Sequence, residues 1–142
     1  MKIFFIGLAA IVLAALASII FLSPSDKAPR ATDADVIASG GLHWHPSLEI
    51  YIGGVKQEIP QNLGLGAVHQ PMHTHDDLPI VHLEFAGAVK DADIKLGRFF
   101  DIWGKDMRAF GSNMRMTVNG VDNAEYEQYI MRDKDVIELH YD

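Results

Sequence analysis

Ile3 to Leu22 is a run of 20 residues without a charge, preceded by Lys2. As a helix it would rise about 30 Å, enough to cross the hydrocarbon core of a bilayer. The run therefore takes no part in a soluble core, and residues 1–22 read as a transmembrane anchor. Ala15-Leu16-Ala17 fits a small-x-small cleavage site, but cutting there would leave Ile19, Ile20, Phe21 and Leu22 at a new N-terminus. An uncleaved signal anchor is the better expectation. Lys2 and the terminal amine favour a cytoplasmic N-terminus, which places the rest of the chain outside the cytoplasm as a single-pass protein of the cell membrane. Gly7, Ala9, Ala10, Ala14, Ala15 and Ala17 offer small-residue faces suited to packing against other membrane helices.

Residues 23–41 are rich in Pro, Ser, Ala, Asp and Gly and have no apolar period, the signature of a flexible linker. A short helix over Asp33–Ala38 is the one local element suggested there. Residues 42–142 then form an extracytoplasmic domain of ordinary size. The 142-residue chain carries 12 basic and 19 acidic residues, a formal charge of −7, which argues against nucleic acid as a partner. It has no cysteine, which excludes disulfides, thiolate metal sites, cysteine nucleophiles and a lipoprotein anchor.

Within 42–142 the apolar pattern alternates between periods. Leu48, Ile50 and Ile52 keep strand period, Gly53-Gly54 marks a tight turn, and Val55 to Ile59 returns as a second strand. Residues 61–79 lack a period, and a long irregular stretch in a small domain is usually functional. Val81, Leu83 and Phe85 share one strand face, leaving His82 and Glu84 on the other. Leu96, Phe99, Phe100 and Trp103 form a helical stripe, with Asp93 as the expected N-cap and Gly104 as the stop. Gly97 inside that helix implies close packing. Met114, Met116 and Val118, the Asn119-Gly120 turn, and Ile137, Leu139 and Tyr141 complete the strands. This order resembles the β-grasp fold of ubiquitin and the small sulfur-carrier proteins, most clearly in the C-terminal half. The resemblance implies an α+β domain: a small β-grasp-like mixed sheet covered by one helix, behind the transmembrane helix. The carriers' terminal Gly-Gly is replaced by Tyr141-Asp142, so it implies no carrier chemistry.

Seven histidines occur, six of them between positions 43 and 82. His43-Trp44-His45 and His73-Thr74-His75 are H-x-H pairs, and in extended backbone each pair projects two imidazoles to one side. With His82 they supply five nitrogen donors, expected to converge on one ion. Asp76, Asp77 and Glu84 are candidates to orient the rings or to serve as further ligands. His69, His140 and Met72 are less well placed candidates. Neutral imidazole suits copper or zinc, with copper favoured by the affinity order of divalent ions and zinc next.

H-x-H-P, then H-T-H-D, then I-V-H-L-E, then L-G-R-F-F-D-I-W-G together resemble an uncharacterised family of small secreted or membrane-anchored prokaryotic His-rich domains. The resemblance covers His43 to about Tyr141 and maps the shared histidines onto His43, His45, His73, His75 and His82. It implies no activity. Three functions follow as expectations. The first is a metal-binding protein that captures or delivers copper or zinc, or serves as an accessory subunit of a membrane complex. The second is a small His-ligated metalloenzyme, since H-T-H followed by Glu84 faintly resembles a cupin motif. The third is a structural single-span subunit that meets the bilayer through residues 3–22. No nucleophile elbow, P-loop, dinucleotide fingerprint or H-E-x-x-H is present, so the balance leans away from an enzyme.

Overall fold

Gly-Gly and Asn-Gly, the two turn signals of the sequence, both sit at hairpin tips in the computed structural model, which describes residues 35–142. The anchor expected over residues 1–22 and the first part of the linker lie outside the described residues. The strands, in chain order, are β1 (Val36–Ala38), β2 (Leu42–Trp44), β3 (Ser47–Ile52), β4 (Val55–Gln57), β5 (Met72–His73), β6 (His82–Phe85) and β7 (Val89–Lys90). The single α-helix among the described residues, α1 (Leu96–Trp103), follows. After it come β8 (Arg115–Val118), β9 (Val121–Asn123) and β10 (Val136–Tyr141).

Five strands make the larger sheet, in the order β4-β3-β10-β8-β9. Its centre is β10, which pairs parallel with β3 from Val136↔Ser47 to Tyr141↔Ile52 and antiparallel with β8. Gly53 and Gly54 turn β3 into β4 with φ of 54° and 77°, values that a side chain resists. A second sheet has the order β2-β6-β5, and β1 pairs with β7 as a separate ribbon. Val36–Ala38, where a short helix was suggested, is therefore extended and paired within the folded body.

The expectation of an α+β domain with one mixed sheet covered by one helix is overturned, and the transmembrane helix expected before it falls outside the described residues. The described residues are mostly sheet, with ten strands in three sheets and one helix of eight residues. Among them no helix is long and apolar enough to cross a membrane. The physical reason is one of coverage. Eight helical residues span about 12 Å, too little to shield a five-stranded sheet. The small sheet supplies the missing apolar surface. Met72, Leu83 and Leu42 from it share one core with Leu48, Ile50, Ile137, Leu139 and Met116 of the large sheet and with Leu96, Phe99 and Phe100 of α1.

Leu96, Phe99 and Phe100 of the α1 stripe are buried as its period predicts, and Trp103 at its end is half-buried against the core. Gly104 ends the helix in left-handed conformation at φ 70°. Asp93, the expected N-cap, instead accepts from the Lys90 N–H at 2.9 Å and caps the 3-10 turn Asp91–Ile94, while Lys95 starts α1 without a side-chain cap. The close approach expected at Gly97 is present: a Cβ there would lie 2.9 Å from the Glu127 carbonyl oxygen.

Burying one such aromatic side chain contributes about 1.5–3 kcal/mol. Phe99 is fully buried, so Phe99→Ala should cost about 3–5 kcal/mol in chemical denaturation. Val121→Ala, at a side chain 69% exposed, should change stability by less than about 0.5 kcal/mol in the same assay.

Candidate metal centre

Strand alternation sorts the small sheet into two chemistries. On β6, Leu83 enters the core, and His82 and Glu84 leave by the opposite face. Its neighbours are in register to match. His43 of β2 lies opposite Glu84, and His73 of β5 lies opposite His82. His45 and His75, two residues beyond His43 and His73, continue the same face past the strand ends. An apolar set, Trp44, Leu83 and Met72, is paired across the three strands in the same way on the core side.

The five histidines therefore converge, with His82 at the hub. Its ring centroid lies 5.0 Å from that of His45, 4.7 Å from His75 and 5.4 Å from His73. His43 and His45 are 4.7 Å apart, and His73 and His75 are 4.8 Å apart. Two groups could each hold a metal ion: His43, His45, His82 and Glu84, and His73, His75 and His82. Within each, one donor atom per residue lies within 4.8 Å of the others.

Hydrogen bonds decide which nitrogens are free to bind. The Asp77 carboxylate takes the His82 Nε2–H at 3.1 Å with either oxygen. A carboxylate only accepts, so Nε2 carries the proton and Nδ1 keeps its lone pair. That Nδ1 is buried and has no hydrogen-bond partner. In the same way His73 donates Nδ1–H to the Gln70 carbonyl at 3.1 Å, which leaves Nε2 as a donor to metal. Glu84 lies among these atoms. One of its oxygens is 3.0 Å from His43 Nε2 and 3.7 Å from His82 Nδ1, and the other is 4.0 Å from His73 Nε2.

The loop over residues 61–79 is built to carry His73 and His75. Thr74, between them, is fully buried. Its hydroxyl donates to the Pro60 carbonyl at 2.9 Å and accepts from the Leu63 N–H at 3.0 Å. Gly64 has φ of 75°, and a Cβ there would stand 2.6 Å from the Met72 carbonyl oxygen, so only glycine lets the loop close on β5. On the other side, Asp133 accepts from the His45 N–H at 2.9 Å and ties that end of the site to the turn before β10.

The remaining candidates are placed elsewhere. Met72 is buried in the core on the face opposite His73, because adjacent residues of a strand point apart. His69 is exposed, with its ring 6.4 Å from His73, and belongs to neither group. His140 sits on β10 of the large sheet, stacked on Tyr51 at 4.9 Å. There the Tyr51 hydroxyl donates to Glu49, which pushes the phenol up to about 12. Asp76 is exposed and makes no hydrogen bond to a histidine among the described residues, so its neighbour Asp77 performs the orienting role. The sequence pointed to Asp76 or Glu84 as the orienting group ahead of Asp77, and the path of the loop reverses that order. A cavity lined by residues such as Leu48, Ile59, Leu78 and Pro79 contains none of the histidines.

No family model, curated protein or solved structure gives a significant match to this chain. The chemistry of the cluster thus rests on its own geometry.

Burial holds the His73 imidazole below its ordinary value of 6.5, an effect that the Gln70 hydrogen bond and the Glu84 charge oppose only in part. The hydrogen bond from His82 lowers the Asp77 carboxyl, which keeps it ionised as an acceptor. At pH above about 6.5 His73 is neutral whether folded or unfolded. Below that the unfolded ring takes a proton that the buried ring resists, so the native state loses stability. Metal-free protein should therefore show a falling denaturation midpoint as pH drops through about 6.5, and His73→Gln should reduce that slope.

Proposed function

We propose that this domain binds a divalent transition metal through His43, His45, His73, His75, His82 and Glu84, copper first and zinc next. The observation that carries the reading is His82. A buried imidazole with one nitrogen secured by a carboxylate and the other unpartnered among histidines is the arrangement of a metal ligand with its orienting acceptor. His140 Nε2 is likewise buried without a hydrogen-bond partner, but it stands beside Glu138 and Tyr51 with no second imidazole among the described residues, whereas His82 Nδ1 lies among four. The donors are nitrogen and oxygen only, since Met72 faces the core, and this favours Cu(II) or Zn(II) over Cu(I). The acidic balance of the chain, −7, favours cation capture.

The flanks of the site differ in a way that suits exchange. The side chains of His73 and His82 are 5% and 11% exposed, whereas that of His43 is 65% exposed and that of Glu84 43%. A metal held on a preformed buried half with solvent-accessible ligands on the other side can be captured or passed on. We read the protein as a capture or delivery module, or an accessory subunit of a membrane complex, held at the outer face of the cell membrane by residues 3–22. Among the described residues the cleft that His43 and Glu84 line is open to solvent and not an enclosed substrate pocket, so a metalloenzyme is the weaker reading.

Titration of metal-free protein, purified without a histidine tag, with Cu(II) and Zn(II) tests this. His82→Ala should remove tight binding at the site that its Nδ1 completes. His69→Ala and His140→Ala should leave it nearly unchanged. Asp77→Asn should weaken it by about 10–100-fold through loss of the orienting bond. Affinity should fall as pH drops through about 6.5, where free imidazoles protonate, and bound metal should raise the unfolding temperature. Binding weaker than about 10 µM for both metals would refute the reading.

A further inference from the structure

We propose that the cluster holds two metal ions rather than one, with Glu84 shared between them. The inference rests on the metal-binding reading above and adds a second site to it.

Six donors exceed what one zinc or copper ion takes from protein, which is ordinarily three or four. The donors also fall into two sets in space. Ring contacts run from His43 through His45 to His82, and from His82 through His75 to His73. Among the described residues no ring contact joins the first pair to the second except through His82. The sheet explains this. β2 and β5 flank β6 on opposite sides, so the strands of the two H-x-H pairs stand two strand spacings apart, about 9–10 Å.

Glu84 lies at the junction, and its two oxygens face different sets. One is near His43 Nε2 and His82 Nδ1, and the other is near His73 Nε2. A carboxylate whose oxygens look toward separate imidazole sets is placed to bridge two cations and to offset the repulsion between them. His82 has only Nδ1 to give, because Nε2 is committed to Asp77. Nδ1 lies 3.7 Å from the Glu84 oxygen that also meets His43. The first ion therefore takes His43, His45, His82 and one oxygen of Glu84. His82 also stands within reach of His73 and His75, but with its Nδ1 given to the first ion the second takes His73, His75 and the other oxygen of Glu84, 4.0 Å from His73 Nε2, with coordination left open for water or an incoming group.

The test is metal stoichiometry of the untagged full chain, by native mass spectrometry and by titration with Zn(II) or Cu(II) alone. Two equivalents are expected. The two Cu(II) ions should be spin-coupled, visible as a half-field line in the EPR spectrum. The double variant His43→Ala/His45→Ala changes exposed or half-buried side chains and should keep one equivalent. His75→Ala should keep the other. In both variants the coupled signal should be lost. Glu84→Gln should weaken both equivalents and abolish the coupling. A single equivalent in the wild type, lost in both histidine variants, would overturn the two-ion proposal and leave the metal-binding reading standing. Absence of tight binding in the wild type would overturn both.

Discussion

The pleat of one four-residue strand governs this domain. On β6, Leu83 must enter the core, and a strand cannot turn one side chain inward without sending its neighbours outward. His82 and Glu84 are thereby committed to the opposite face. Both flanking strands obey the same rule, with Met72 and Trp44 on the core side and His73 and His43 beyond it. The hydrophobic effect, acting on Leu83 and Met72, thus aligns the polar chemistry. A slip of one residue in either flanking strand would exchange the two faces, exposing apolar surface and burying imidazole.

The site is also fastened to the rest of the fold from both ends. The chain passes from β2 into β3 at Pro46, whose carbonyl accepts from the Val81 N–H at 2.8 Å, so the large and small sheets meet beside the cluster. Asp133 holds the His45 backbone, and the buried Asp135 accepts from the Tyr129 hydroxyl and the Arg132 N–H at 2.7 Å each, fixing the turn that leads into β10. Thr74 secures the other end by plugging the 61–79 loop into the interior. Side-chain positions defined by packed strands and buried hydrogen bonds would limit the reorganisation that binding an ion requires.

Much of the candidate site was legible along the chain, because its signal is local. H-x-H pairs on extended backbone share a side whatever the fold, and the alternation around His82 and Glu84 names the polar face directly. The helix stripe and the two glycine turns were legible for the same reason. What failed depended on distant segments. The one-sheet α+β reading missed the small sheet because β2 and β5 have only three and two residues, too few for a period to show. Asp93 looked like a helix cap, yet a 3-10 turn intervened and took it.

The residues by themselves determined which side chains could share a face: period two on a strand and 3.6 on a helix are properties of the backbone. The tertiary structure decided which faces meet. It set β6 between β2 and β5, chose Asp77 over Asp76 as the acceptor for His82, turned Met72 into the core, and carried His140 away on the central strand of another sheet. Those outcomes follow from strand order and loop path, which are settled by how apolar surface from both sheets and α1 is buried together. No local pattern encodes that global packing problem.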